Sequence, residues 1–345
     1  MKKILLTISF IGSSLFAFSQ DHHYSMFTMA PLTINPALTG NFTGDLRIIN
    51  NYRMQWTSIK PYTTYTFGGD YQIRRKDRMK TSPDFFAVGL NINMDKAGSS
   101  TLKNNSYNGM FSYNKSLDGA GHTYFSIGAT LGFAQRSINT TDATWGRQWD
   151  GLQYDASLAT GESSGFQDSF SYLDFGAGAA MTLTGNERFK TSFGAAMFHL
   201  TRPRIDFLGI SDKMYVRTNV HWKAEIAVGP NSISWIVPQA MYVQHGPARM
   251  INAGLGWKYR FTERSRYTDF QNEKSVTLGG MYRFGDAFSG YLRLDIAAVG
   301  VAFNYDFNVS GLKPATNGMG AMEFMIIYTG MYSNRNLRHD NRSFF

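Results

Sequence analysis

What most limits this chain is a two-residue alternation that returns, segment after segment, between residues 46 and 328. Residues 300–309 show it most clearly. Val301, Phe303, Tyr305, Phe307 and Val309 share one parity, and Gly300, Ala302, Asn304, Asp306 and Asn308 share the other. Successive side chains of a strand point to opposite faces, so this stretch has one apolar-aromatic face and one small, polar face. The same division sets Leu46, Ile48, Tyr52, Met54 and Trp56 against Arg47, Asn51, Arg53 and Gln55. Next, it sets Tyr65, Phe67, Tyr71 and Ile73 against Thr64, Thr66, Asp70 and Gln72, and then Phe86, Val88, Leu90, Ile92 and Met94 against Ala87, Gly89, Asn91 and Asn93. It continues through 107–113, 125–133, 173–183, 189–199, 216–228, 233–243, 251–261, 276–284, 288–295 and 322–328. That makes about fourteen segments, each near the ~9–11 residues that a tilted membrane strand requires.

A soluble β-sandwich also alternates, but its outer faces are wet and have no use for so many consecutive apolar rows. Long helices are disfavoured by composition, since the chain holds 27 Phe, 19 Tyr and 34 Gly with only 17% charged residues. Beyond the N-terminus no run reaches the ~18 apolar residues of a spanning helix, and the longest, 296–303, is far too short. A membrane location therefore requires a closed barrel. The expected fold is all-β, a single transmembrane antiparallel β-barrel of about 14 strands with an N-terminal, Pro-containing lead-in segment.

The ends of the chain read differently. Lys2 and Lys3 precede an apolar stretch at 4–18, and Ala17-Phe18-Ser19 supplies small residues where a signal peptidase reads, so residues 1–19 are expected to be a signal peptide. Residues 20–43 carry Pro31 and Pro36, two prolines within six residues that forbid a helix or central strand there, so an extended lead-in or plug that docks on or inside the barrel is expected. The barrel is expected over 44–332. A basic tail with Arg335, Arg338 and Arg342 follows at 333–345. Cysteine is absent, so stability comes from the ladder and packing, and no thiol chemistry is available.

Short connections at 117–121, 185–188, 229–232 and 285–286 contrast with longer ones at 95–104, 137–168, 201–213 and 311–320. With the N-terminus on the periplasmic side, the longer set faces outward, as in outer-membrane barrels. The charged connections at 74–83 and 262–273 fit that orientation less well.

Catalytic constellations are not found. Gly161-Glu162-Ser163-Ser164-Gly165 matches a nucleophile elbow but lacks the helix that such a motif needs, and it reads as a loop. The seven histidines are scattered, with no third ligand at zinc spacing near His22-His23. His221 shares an inward parity with Arg217, Asn219, Lys223 and Glu225, which suits a hydrogen-bonded lumen network. The reading is non-enzymatic, with no cofactor and no metal. Basic residues are spread along the chain rather than massed for nucleic acid.

Two sets of residues are candidates for partner binding. Arg47, Asn51, Arg53, Gln55, Asp70, Arg283, Asn304, Asp306, Asn308 and Glu323 fall on the polar parity and so face the lumen. Charges there can meet water or each other, whereas on the lipid face they cost heavily. They would grip a peptide segment or plug, or serve as a structural network that stiffens the barrel. Trp145, Trp149, Tyr154 and Phe166 lie in the longest connection, with Asp142, Asp150 and Asp155 as acceptors, and large aromatics are enriched at binding surfaces. Aromatics near segment ends, such as Trp56, Tyr62, Trp257 and Phe261, suit interfacial girdles.

Several stretches carry a family resemblance. They are Pro31-Leu32-x-Ile34-Asn35-Pro36-Ala37 with Gly40, Asn51-Tyr52-Arg53-x-Gln55-Trp56, the Tyr-rich stretch 62–71, Gly280-Met281-Tyr282-Arg283 before Asp286-Ala287, and Tyr305-Asp306-x-Asn308-Val309-Ser310-x-Leu312 before Gly320 and Glu323. In this order and spacing the chain resembles the PorP/SprF family of the type IX secretion system, over nearly all of its mature length and least around 137–168. The resemblance implies an outer-membrane barrel that helps export or anchor a large secreted surface protein, such as a gliding adhesin, by binding its C-terminal sorting domain. The implied partners are the type IX translocon and its periplasmic ring and motor proteins, with outer-membrane lipid around the barrel. The alternative is a diffusive porin or solute transporter.

Overall fold

The computed structural model describes residues 21–56, 61–74, 83–98, 102–118, 121–138, 146–159, 169–186, 188–207, 210–229, 233–262, 274–311 and 313–330. Sixteen strands run through them. They are β1 (Leu46–Gln55), β2 (Tyr62–Ile73), β3 (Phe85–Ala97), β4 (Leu102–Ser116), β5 (Thr123–Ser137), β6 (Ser169–Asn186), β7 (Phe189–Phe198), β8 (Arg204–Phe207), β9 (Ile210–Lys213), β10 (Arg217–Val228), β11 (Ser234–His245), β12 (Ala248–Thr262), β13 (Lys274–Arg283), β14 (Ala287–Ile296), β15 (Val299–Asn308) and β16 (Met319–Gly330). Fourteen of them close a barrel in which each strand pairs antiparallel with its sequence neighbours, and β1 pairs with β16 from Leu46↔Gly330 to Gln55↔Ala321. β8 and β9 form a separate hairpin in the connection between β7 and β10. Closure leaves no open sheet edge, the condition for a sheet in lipid.

The alternating pattern maps directly onto the two sides of this wall. Phe67, Leu90, Phe111, Ile127, Phe303 and Phe324 are exposed on the outside, while Arg47, Asn51, Arg53, Thr64, Asn304 and Glu323 are buried inside. The fold is thus the inverse of a soluble protein, with its apolar surface turned to hydrocarbon and its polar residues in the lumen. Ring contacts gather at both rims: Trp56 against Tyr62 and Tyr305 against Phe307 at one, Trp257 against Tyr259 and Tyr259 against Phe261 at the other. Among the described residues no helix is long and apolar enough to cross a membrane.

The lumen is packed with the chain's own N-terminal segment. Tyr24, Met26, Phe27, Met29, Leu32, Ile34, Ala37 and Leu38 are almost fully buried and make one apolar cluster with the inward residues Ile49, Met110, Met241, Met281 and Met325. Here the extended lead-in expected from Pro31 and Pro36 is corrected. Phe27–Met29 and Pro36–Leu38 are 3₁₀ turns and Pro31–Ile34 is one α-turn. Each proline sits at the start of its turn, where a missing N–H costs nothing and the fixed φ already suits a helix. Asn35 caps the last turn by accepting the Ala37 N–H at 2.9 Å.

The segment runs the length of the barrel. Asp21 is bonded to His199, which follows β7 directly, whereas Gly40 is bonded to Asp70 near the end of β2. Residue 21 therefore lies at the mouth opposite the one where β1 begins, on the side of the longer connections. The expectation that the N-terminus lies across from those connections thus holds for the start of β1 and is corrected for residue 21, because the segment crosses the lumen first. We call the mouth at Leu46 and Gly330 the seam mouth and the other, which carries the β8–β9 hairpin and residues 146–159, the far mouth.

Candidate functional site

Four groups of inward side chains hold the lead-in, in order from one mouth to the other. Nearest the seam mouth, Arg47 and Asp70 are register partners on β1 and β2 and form a two-pronged pair, Nε to Oδ1 at 2.9 Å and Nη2 to Oδ2 at 2.8 Å. Both also grip the segment. Arg47 Nη2 donates to the Leu38 carbonyl at 3.1 Å, and Asp70 Oδ2 accepts the Gly40 N–H at 2.7 Å. Gln72 donates to the carbonyls of Gly40 and Phe42, both at 2.7 Å. The turn at Gly40 needs φ of +76°, a conformation that other residues rarely adopt.

In mid-lumen the wall is thinned so that the turn at Asn35–Ala37 can lie against it. A Cβ on Gly128 of β5 would come within 2.5 Å of the Ala37 nitrogen, and one on Gly178 of β6 would collide with the Asn35 carboxamide. Asn35 Nδ2 donates to the Ala179 carbonyl at 3.0 Å and faces His221 Nε2 at 3.1 Å. Asn219 donates to the Ile34 carbonyl, Asn51 to the Met29 carbonyl, and Ser112 to the Thr39 carbonyl.

Closer to the far mouth lies a charged knot around Ser25. Its hydroxyl donates to Asp306 Oδ2 at 2.7 Å and accepts from Arg53 Nη1 at 2.9 Å and Arg283 Nη1 at 2.7 Å, which uses its full hydrogen-bonding capacity. Glu323 pairs with Arg53 and accepts the backbone N–H groups of Ser25 and Met26 at 2.6 and 3.0 Å. Asn304 steadies Asp306 at 2.8 Å, and Gln55 accepts from Arg53 at 3.2 Å. Arg53 and Arg283 thus meet the carboxylates of Asp306 and Glu323, and Arg283 also reaches the half-exposed Asp286 at 2.5 Å, so each buried charge of the cluster has an opposite partner.

At the far mouth itself Asp21 meets His199 at 2.7 Å and Arg217 at 3.4 Å, and Asp174 holds the other ring nitrogen of His199 at 2.8 Å. Burial disfavours the His199 imidazolium, but the Asp21 carboxylate and then Asp174 outweigh it and lift the ring to about 9. Burial would also raise Asp21, yet His199 and Arg217 hold its carboxyl well below the usual range.

The sequence-derived lumen set therefore divides. Arg47, Asn51, Arg53, Asp70, Arg283, Asp306 and Glu323 touch the lead-in directly, while Gln55 and Asn304 orient those that do. Asn308 stands apart: it accepts the Ser310 N–H at 2.9 Å and bonds Thr316, so it shapes a far-mouth connection. Gln72, Ser112, Asn219 and Asn252 act as lead-in contacts too, and their inward parity was the signal that could have found them. Ser25, Asn35 and Asp21 carried no such signal.

Of the outer-loop residues, Trp149 and Tyr154 bridge each other in a small exposed hairpin whose tip, Leu152, is 88% exposed. Asp150 accepts the N–H groups of Leu152 and Gln153, both at 2.7 Å, and Asp155 that of Ser157 at 2.8 Å, so these acids shape turns. Trp145, Phe166, Asp142 and the 161–165 motif lie outside the described residues. No group of three metal-binding side chains occurs among the described residues.

Comparison with known proteins adds the family. The family described as type IX secretion system membrane protein PorP/SprF matches residues 16–328. No curated protein matches the sequence. Among solved structures the chain is similar to the TodX monoaromatic hydrocarbon channel deltaS2 mutant, at 9% identity and TM-score 0.47, covering 88% of this chain and 94% of that one. It is also similar to BamA from Haemophilus ducreyi lacking POTRA domains 1–3, at 10% identity and TM-score 0.43, covering 83% and 70%. With CdiB from Acinetobacter baumannii the figures are 9% and 0.40, and the chain, 82% covered, spans 60% of that protein. Family and fold are those of a secretion-system membrane barrel and not of an enzyme family. The chain belongs to the PorP/SprF family and is an outer-membrane β-barrel of the type IX secretion system.

Proposed function

We propose that this barrel is a sealed receptor that helps export or anchor a large secreted surface protein by binding its C-terminal sorting domain, next to the type IX translocon and its periplasmic ring and motor proteins. The observation that carries this reading is the occupied lumen. Residues 24–42 pack against its apolar residues and bond Arg47, Asp70, Arg53, Arg283, Asp306 and Glu323, so much of the barrel's inner surface is already engaged. Recognition of a second chain then falls to the far mouth, where Trp149, Leu152 and Tyr154 offer exposed apolar surface on a turn-stabilised hairpin. Trp145 and Phe166 flank that hairpin in sequence and join it as proposed contacts. Arg53, Arg283, Asp306 and Glu323 would meet a foreign peptide only where the lead-in had withdrawn.

The experiment is co-purification from detergent with a tagged full chain. A large surface protein and secretion components are expected to come with it, and their loss is expected in a Trp149→Ala/Leu152→Ala variant. If the tagged barrel comes down alone, the reading fails. The porin alternative needs an open aqueous path, and the packed lead-in opposes it.

A further inference from the structure

The lipid-facing side of the wall carries a charge pattern that the lead-in does not explain. On the far-mouth half of β3, β4 and β5 the outward residues change character within two register steps. Ile92, Tyr107 and Phe133 stand side by side in an apolar row, Met94, Asn105 and Gln135 form the next, and Lys96, Lys103 and Ser137 the one after. The apolar belt ends at this change, so the lysine row stands at the depth of lipid headgroups. Lys96 and Lys103 are direct register partners, and both are exposed. Like charges set opposite each other on one face of a sheet repel and destabilise it. No carboxylate relieves this pair. The neighbouring Asp95 is buried on the lumen side, where it meets His22 at 3.5 Å, and among the described residues neither lysine takes part in an ion pair. At the seam-mouth end of β4, by contrast, the exposed Lys115 is held by Asp84 at 2.8 Å.

We propose that Lys96 and Lys103 form a site for the phosphate of a membrane lipid headgroup. An anion between the two ammonium groups turns their repulsion into two attractions, and a phosphate accepts charge-assisted hydrogen bonds from both. The long lysine stems lie along the apolar wall while their heads reach the polar layer. The carboxamides of Asn105 and Gln135, in the adjoining row, have no hydrogen-bond partner among the described residues and add neutral donors beside the lysines. What selects a lipid over a free ion is the order of the rows. A lipid carries its phosphate directly above its acyl chains, and here the two lysines stand directly above Ile92, Tyr107 and Phe133, which face the acyl layer. The site lies on the outside of the barrel and uses none of the residues that hold the lead-in.

The test is native mass spectrometry of the full chain in detergent, with phosphatidic acid as the probe, diacylglycerol as its counterpart without phosphate, and inorganic phosphate as competitor. Adducts of phosphatidic acid are expected, weakened tenfold or more in a Lys96→Gln/Lys103→Gln variant and unchanged in Lys115→Gln, which alters the paired lysine of the other rim. Heat-modifiable migration on gels confirms that the variants are folded barrels. A second measurement uses Lys103→Glu, which replaces the repelling pair by an attracting one. Its thermal midpoint in lipid-free detergent should exceed that of wild type, and phosphatidic acid should raise the midpoint of wild type but not of this variant. If the folded double variant binds as well as wild type, or if diacylglycerol binds as well as phosphatidic acid, the proposal is overturned. If inorganic phosphate at equal concentration displaces phosphatidic acid, the site belongs to the free ion and the lipid assignment is overturned.

Discussion

Arg53 of β1 and Glu323 of β16 face each other in register across the seam that closes the barrel, and both are fully buried. Ser25 and Met26 of the lead-in complete that pair by donating their N–H groups to Glu323. The seam and the segment inside it are therefore one structure. Closing the ring and seating the lead-in satisfy the same charges.

The seam pair gives the first prediction. Arg53→Ala or Glu323→Ala strands a buried charge and should cost about 3–5 kcal/mol. The apolar pair Arg53→Met/Glu323→Leu should cost less than the two single losses combined, because it leaves neither charge unmatched. Urea midpoints of the detergent-solubilised barrel measure this. Strictly additive costs would show that the pair is not a coupled unit.

Mid-lumen glycines give the second. Gly178→Val puts branched carbons where the Asn35 carboxamide sits, with little room to retreat because Asn35 is itself buried. The wall should still form, since valine favours strands. The lead-in should be displaced, with new protease cleavage inside residues 24–42 and a rise in single-channel conductance. A variant as resistant and as closed as wild type would contradict the contact.

The Asp21–His199 clasp gives a pH dependence. His199 is raised in the folded chain, so its contribution is complete below its ordinary value near ~6.5 and is lost as pH rises through about 9. Asp21 is depressed, so its contribution is present above its ordinary value near ~3.9 and is lost only as pH falls through the lower folded value. The clasp should thus hold at pH 6 and loosen by pH 10. A spin label at residue 22 should gain mobility over that alkaline range, and His199→Gln should abolish the step. Unchanged mobility from pH 6 to 10 in the wild type would refute the clasp.

Orientation follows from cysteine labelling, which is clean because the chain has no native cysteine. Asp150 lies at the far mouth, and the exposed His122 lies in the β4–β5 turn at the seam mouth. With the longer connections outside, an impermeant maleimide should label Asp150→Cys on intact cells and His122→Cys only after permeabilisation. The reverse result would turn the barrel over.

Much of the wall was legible in the sequence. Val301, Phe303 and Tyr305 on one parity and Ala302, Asn304 and Asp306 on the other specify an outside and an inside, because a strand repeats every two residues whatever surrounds it. Fourteen such segments in succession specify a closed ring, since an open sheet would leave an unpaired edge in lipid. The short β8–β9 hairpin escaped notice because four-residue strands carry almost no periodic signal.

What parity could not supply was the identity of the partner on the inner side. Gly128 and Gly178 read as members of a small face, but only their approach to Ala37 and Asn35 explains why a side chain there would not fit. Pro31 and Pro36 argued against regular structure, yet in the lumen each starts a helical turn whose surroundings supply its missing partners. Asp21 and His199 are 178 positions apart and have no local signature at all. Local alternation thus determined which face of each strand meets lipid. Tertiary structure alone decided what fills the ring, because those contacts join residues far apart in the chain that meet only when the barrel closes around them.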